Sequence, residues 1–187
     1  MTSDRKLLSS LGAFAPETLN RFVFRVTPVS TNPLAPSVSG GRWAPPAAPG
    51  QEIPILYTSH ERDGALAEVA SYLAKLTPMP GPRHLKVSRL AVSTAKTLRL
   101  TAPDLQSLGV DLSRYGERNY FRTQEIGVAV AELGFDGLIA PSARWTCDNL
   151  MIFTANRTSG SDATIVDAEE VEWRAWAAAS GVLPSNA

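Results

Sequence analysis

The residues best placed for chemistry are an arginine behind two glycines, a glutamate shortly after an aromatic hydroxyl, and a serine between two apolar runs. Arg42 stands in Gly40-Gly41-Arg42-Trp43. Glycines permit positive φ and close backbone approach, as a loop folding over a phosphate requires, and a guanidinium can grip a phosphate with two parallel hydrogen bonds. Tyr57 ends a short β-branched run, and Glu68 follows eleven residues later in Ala65-Leu66-Ala67-Glu68. Ser142 lies in Pro141-Ser142-Ala143-Arg144, with Asn149 close behind, and Arg25 interrupts the apolar run Phe22-Val23-Phe24-Arg25-Val26. Cations for phosphate, a ring to stack, and a carboxylate to accept from hydroxyls suit an anionic nucleotide and its ribose.

Each residue also has an ordinary reading. Glu68 fits a solvated helix glutamate, since lone carboxylates on helices mostly face water. Arg25 fits a cleft or a structural ion pair equally well, because a buried charge needs a partner. Tyr57 fits a core tyrosine with a satisfied hydroxyl. Arg42 fits a solvated loop anchored by Trp43. Ser142 lacks the Gly-x-Ser-x-Gly elbow of an acyl-transfer nucleophile, so a hydrogen-bonding role is expected. His60, His84 and Cys147 form no metal-ligand spacing, and no Walker loop or Gly-x-Gly-x-x-Gly follows a strand.

The elements that must position these groups are read from periodicity. The first fourteen residues look like a loose tail, with a helical turn at Pro16-Glu17-Thr18-Leu19. Residues 22–26 read as the first strand, and 27–54 as a long Pro/Ser/Gly/Ala-rich loop. A strand over 53–57 leads to a helix from an Asp63 cap to about Leu76, with Leu66, Val69, Leu73 and Leu76 as its stripe. Strands are expected over 85–92 and 97–100, a short helix from Ala102, and a helix over 123–133 stopped by Gly134. Two buried strands, 137–140 and 150–153, flank the serine. A strand over 163–166 and a helix over 170–179 close the chain, with Trp173 and Trp176 packing on the core.

With 187 residues the chain supports one domain with a full core. A tail and helical turn are expected over 1–20, the domain over 21–179, and a second tail over 180–187. The formal net charge is zero, which predicts no direct nucleic-acid binding and no attraction to anionic membranes. Apolar runs fall short of the ~20 residues of a membrane helix, and the N-terminus lacks the continuous apolar region of a secretory signal. The single Cys147 precludes an internal disulfide, so a cytoplasmic protein is expected.

Taken in order, Phe24-Arg25-Val26, Gly40-Gly41-Arg42-Trp43, Leu56-Tyr57, Ala65-Leu66-Ala67-Glu68, Gly134-Phe135-Asp136-Gly137 and Pro141-Ser142-Ala143-Arg144 resemble the RES domain family, over residues 22–173. The family is named for its arginine, glutamate and serine. The resemblance implies a mixed α/β domain with a central sheet flanked by helices, like the ADP-ribosyltransferases such as diphtheria toxin. It also implies an enzyme that degrades NAD, by hydrolysis or in some members with inorganic phosphate. NAD is then substrate, with no cofactor and no metal. Many members are toxins of bacterial toxin–antitoxin pairs, held inactive by a helix-turn-helix antitoxin.

Carried onto this chain, Glu68, Arg42 and Ser142 become the catalytic set, and Arg25, Arg42, Tyr57, Ser142 and Asn149 the substrate contacts. Two departures stand out: Ala44 where members often carry Asn, and a Pro/Ala-rich segment over 45–54 that is longer than usual. Transfer of ADP-ribose to a macromolecule and a non-catalytic partner-binding domain are the rival readings.

Overall fold

The computed structural model describes residues 4–183. The first three residues and the end of the expected C-terminal tail, 184–187, lie outside the described residues. Six strands form one mixed sheet: β1 (Glu17–Pro28), β2 (Ile55–Ser59), β3 (His84–Arg99), β4 (Gly137–Pro141), β5 (Asp148–Phe153) and β6 (Asp162–Glu172). Five helices accompany them: α1 (Arg5–Gly12), α2 (Arg62–Leu73), α3 (Ala102–Ser107), α4 (Phe121–Glu132) and α5 (Trp173–Ala179). The strand order is β1-β2-β5-β4-β3-β6, and β1 also pairs with β3, so five strands close on themselves and β6 is left at an edge. Among the described residues only the β3–β4 pairing is parallel.

The ring is weakly joined at one place. β1 and β2 share a single register pair, Phe24↔Ser59, and separate beyond it. β1 is instead paired along its length with β3, and β2 with β5. A cleft opens where the two strands part.

Side-chain alternation sorts the core. Val23, Leu56, Leu90, Val92, Ile139, Leu150 and Ile152, drawn from all five ring strands, pack together. On the opposite face Ile55, Leu138, Met151 and Phe153 pack with Leu7 and Leu11 of α1 and Ile126, Ala129 and Val130 of α4. A third cluster joins α2 to α5 through Ala70, Leu73, Trp173 and Ala177.

Several elements differ from the sequence reading. The expected N-terminal tail holds α1, where Asp4 accepts from the Lys6 N–H and Leu7 and Leu11, four apart, bury one stripe. The expected turn at 16–19 is strand instead, with Glu17 paired to Thr97 and Leu19 to Thr94. The strands expected over 85–92 and 97–100 are one strand, β3, because backbone pairing to β1 carries it through its polar middle. Residues 170–172 belong to β6, and Glu172 caps α5, accepting from the Arg174 and Ala175 N–H groups at 3.0 and 2.8 Å.

α2 starts one residue before Asp63 and ends at Leu73. Asp63 is therefore no cap; it pairs with Arg62 at 2.8 Å and accepts from Trp176 Nε1 at 3.1 Å. α4 begins at Phe121 rather than Thr123. The expected stop at Gly134 is present, with φ of 71°. Among the described residues no helix is long and apolar enough to cross a membrane.

Candidate active site

The cleft between β1 and β2 is a cavity of about 660 Å³, within the roughly 300–1,000 Å³ of small-molecule sites. Its wall brings together Arg25, Arg42, Tyr57, Glu68 and Asn149 from five separate segments. β1 supplies Arg25, the long loop Arg42, β2 Tyr57, α2 Glu68 and β5 Asn149.

Glu68 is the best anchored of them. Its Oε1 accepts from Ser142 Oγ at 2.7 Å and from Asn149 Nδ2 at 2.8 Å, while Oε2 has no partner among the described residues. Ser142 stands behind Glu68 rather than on the cavity wall. A tight turn holds it: its N–H donates to the Cys147 carbonyl, and its Oγ accepts from the Arg144 and Trp145 N–H groups at 3.1 and 3.2 Å. With both acceptor sites so filled, the hydroxyl proton goes to Glu68. The arrangement fixes one carboxylate oxygen and leaves the other for a ligand.

Arg42 is held just as deliberately. Its guanidinium lies 4.6 Å from the ring centroids of both Tyr115 and Tyr120, and its Nη1 donates to the Tyr115 carbonyl at 2.8 Å. The Tyr115 hydroxyl donates in turn to the Pro141 carbonyl at 3.0 Å, tying the arginine's support to the serine turn. The glycines divide the work. Gly40 adopts φ of 83°, whereas Gly41 makes room, since a Cβ there would stand 2.8 Å from the Tyr57 hydroxyl. Gly127 in α4 accommodates the loop from below, because a Cβ there would meet the Trp43 carbonyl at 1.8 Å.

Among the described residues, three polar atoms on this wall are buried without a hydrogen-bond partner: Arg25 Nη1, the Tyr57 hydroxyl and Asn149 Oδ1. Arg25 Nη2 donates to the Ala35 carbonyl at 2.7 Å, which aims the guanidinium but leaves Nη1 unused. Burial lowers Arg25 from its ordinary value, and the guanidinium stays cationic. Burial also pushes the Tyr57 and Tyr115 hydroxyls up to about 12, so both are donors at neutral pH. Orphaned buried polar groups are costly unless a ligand or water completes them. Here a cation, a hydroxyl and an amide oxygen wait around one cavity.

The structure thus gathers the six residues expected from sequence, five on the wall and Ser142 behind it. It adds Tyr115 and Tyr120, which clamp Arg42, and Tyr72 and Arg118 at the mouth. Tyr115 and Tyr120 lie in an irregular segment with no periodicity, where only the density of Tyr and Arg was a signal. Other groups belong to the scaffold. Asp136 is 1% exposed and accepts from the Ala95 and Lys96 N–H groups at 2.7 and 2.8 Å and from Ser161 Oγ. Ala44 is buried in the core. Burial pushes the Cys147 thiol up, which disfavours the reactive thiolate. Among the described residues no three His, Cys, Asp or Glu side chains group as a metal site.

A family model for the RES domain matches residues 20–174. Among solved structures, a chain in the crystal structure of the M. tuberculosis MbcT–MbcA toxin–antitoxin complex aligns with a TM-score of 0.76. The alignment covers 92% of this chain and 96% of that one at 18% sequence identity, a likeness of fold. No curated protein sequence matches the chain.

Proposed function

This chain belongs to the RES domain family, and we propose that it degrades NAD by breaking the bond between nicotinamide and ribose. The observation that carries the reading is the half-held Glu68, fixed through Oε1 by Ser142 and Asn149 on a wall shared with two arginines. In this cleavage the C1′–N bond breaks and its electron pair leaves with nicotinamide as a neutral base, so no proton donor is needed. The ribose passes through an oxocarbenium-like centre, and the enzyme's task is positioning and charge stabilisation. Glu68 Oε2 accepts from a ribose hydroxyl and offsets the positive charge developing at C1′. Water adds at C1′ and releases one proton to solvent, giving ADP-ribose.

Arg25 and Arg42 hold the pyrophosphate, with the tyrosine clamp setting Arg42 before substrate arrives. Tyr57 orients the nicotinamide ribose, and Asn149 Oδ1 accepts a hydrogen bond from the ligand. Ser142 acts through Glu68, as a positioning residue. The ring of strands split between β1 and β2 supports kinship with the ADP-ribosyltransferase fold. The fold shared with a chain of a toxin–antitoxin complex supports the further reading that NAD loss, in the cytoplasm, is the output of a toxin restrained by a helix-turn-helix antitoxin.

The test is NAD consumption by purified protein and its Glu68→Gln variant, with and without inorganic phosphate, with products resolved by mass. Free nicotinamide and ADP-ribose are expected from the wild type alone. Strict dependence on phosphate would mean phosphorolysis, and label retained on a macromolecule would mean transfer. No nicotinamide release and no saturable NAD binding would leave only a partner-binding domain.

A further inference from the structure

We propose that a second cavity, which shares Arg42 with the first, is an effector site for a small aromatic carboxylate, and that its occupation weakens the grip of Arg42 on NAD. What the site regulates rests on the NAD reading. The site itself rests on its own wall.

The second cavity measures about 220 Å³ and is built by the turn after α3, the irregular segment that follows and the first residues of α4. Among the described residues Arg42 alone lines both cavities. Its clamp divides between them: Tyr120 belongs to the wall of the large cavity and Tyr115 to that of the small one. The guanidinium is thus a partition, with one side turned to the NAD cavity and another that the NAD reading leaves unused.

The small cavity offers fixed donors without excess charge. Arg114 sends Nε and Nη2 to Glu117 at 3.0 and 2.7 Å. Arg122 sends Nε to the Leu108 carbonyl at 2.6 Å and Nη1 to Glu125 at 2.7 Å. Gly109, at φ of 86°, lets Arg122 lie across that turn, since a Cβ there would stand 3.4 Å from Arg122 Nε. Among the described residues Arg114 Nη1 and Arg122 Nη2 have no hydrogen-bond partner. Asp111 on the wall, with Glu117 and Glu125, balances the three arginines in charge. A phosphate dianion therefore finds no positive surplus here, whereas a single carboxylate is matched by two fixed N–H groups.

The same wall carries Phe121, which at 67% is the most exposed large apolar side chain among the described residues. An exposed ring beside charged donors suits a ligand with an aromatic body and one anionic end. The space holds one ring and its carboxylate, being smaller than the roughly 300–1,000 Å³ of sites for larger ligands. A carboxylate seated against Arg42 offsets part of the charge that the NAD pyrophosphate would otherwise meet. Effector and NAD then oppose each other without sharing a cavity, and by linkage each weakens the other by the same factor.

The probe is phenylacetate, titrated calorimetrically into the wild type, Arg114→Ala, Phe121→Ala and the control Arg89→Ala, whose residue lies on β3 and pairs with Asp167. An unchanged thermal midpoint confirms the fold of each variant. Binding is expected to weaken about tenfold in Arg114→Ala and about fivefold in Phe121→Ala, the loss of one charged hydrogen bond or one ring contact, and to be unchanged in Arg89→Ala. In turnover, phenylacetate raises the wild-type KM for NAD to a plateau about fivefold higher, with kcat unchanged. The effect disappears in Arg114→Ala, whose turnover without the probe matches the wild type. A KM that climbs without limit puts the probe in the NAD cavity and overturns the site. Binding shared equally by all variants, or no binding to the wild type, overturns it as well. Probe binding that fails in the two variants, with no nicotinamide released by the wild type, keeps the site and overturns the NAD reading.

Discussion

Asp136 and Glu68 are both carboxylates gripped by hydrogen bonds, and they differ in what the grip leaves over. Asp136 uses both oxygens, taking two backbone N–H groups and the Ser161 hydroxyl while 1% exposed. It ties β3 at Ala95 and Lys96, where its register with β1 shifts, to the start of β4. Glu68 spends one oxygen on Ser142 and Asn149, and among the described residues its other oxygen has no partner on the cavity wall. A buried carboxylate with donors on both oxygens offers a ligand little, whereas one held by a single oxygen is both fixed and available. Donor count and burial agree here: both place Asp136 in the scaffold and leave Glu68 open to a ligand.

Substitution should split the pair. Glu68→Gln keeps an acceptor for Ser142 and Asn149 but removes the charge. It is expected to lower kcat for NAD cleavage by roughly 10²–10³, the scale of one lost electrostatic stabiliser, with an unchanged thermal midpoint. Asp136→Ala takes the acceptor from the Ala95 and Lys96 N–H groups and leaves a void where a buried carboxylate stood. It should cost roughly 2–4 kcal/mol of stability, visible as a melting point lower by roughly 5–15 °C, with turnover per folded molecule preserved. Equal losses of activity in the two variants would break the comparison.

Ser142→Ala sharpens it. Glu68 keeps Asn149 but loses its second anchor, so kcat should fall about tenfold while KM moves little. His60 tests stability rather than turnover. Its Nε2 is buried with no hydrogen-bond partner among the described residues, and burial lowers the imidazole from 6.5 to about 4. The unfolded chain takes up a proton that the folded chain refuses, so stability present above pH 6.5 is lost as pH falls toward about 4, and no further below. His60→Asn should flatten that part of the denaturation profile.

The sequence made the residues that gather around the cavity more legible than the fold. Arg25, Arg42, Tyr57, Glu68, Ser142 and Asn149 stand out because charged or hydroxyl groups interrupt apolar or glycine-rich runs, and those interruptions survive in one dimension. The buried strands β4 and β5 were equally legible. α1 was not, because Ser9, Ser10 and Gly12 mask a stripe that needs only Leu7 and Leu11. The continuity of β3 was hidden because its polar middle is held by pairing to β1, a contact between distant residues. The Tyr115–Arg42–Tyr120 clamp was invisible for the same reason: it joins two irregular segments that no periodicity marks.

The most direct test is nicotinamide release from NAD by Glu68→Gln and Asp136→Ala side by side, normalised to folded protein at a temperature where both remain folded. Asp136→Ala is predicted to release nicotinamide at close to the wild-type rate, and Glu68→Gln at least roughly a hundredfold more slowly. Wild-type turnover by Glu68→Gln would contradict the assignment of the chemistry to the half-held carboxylate.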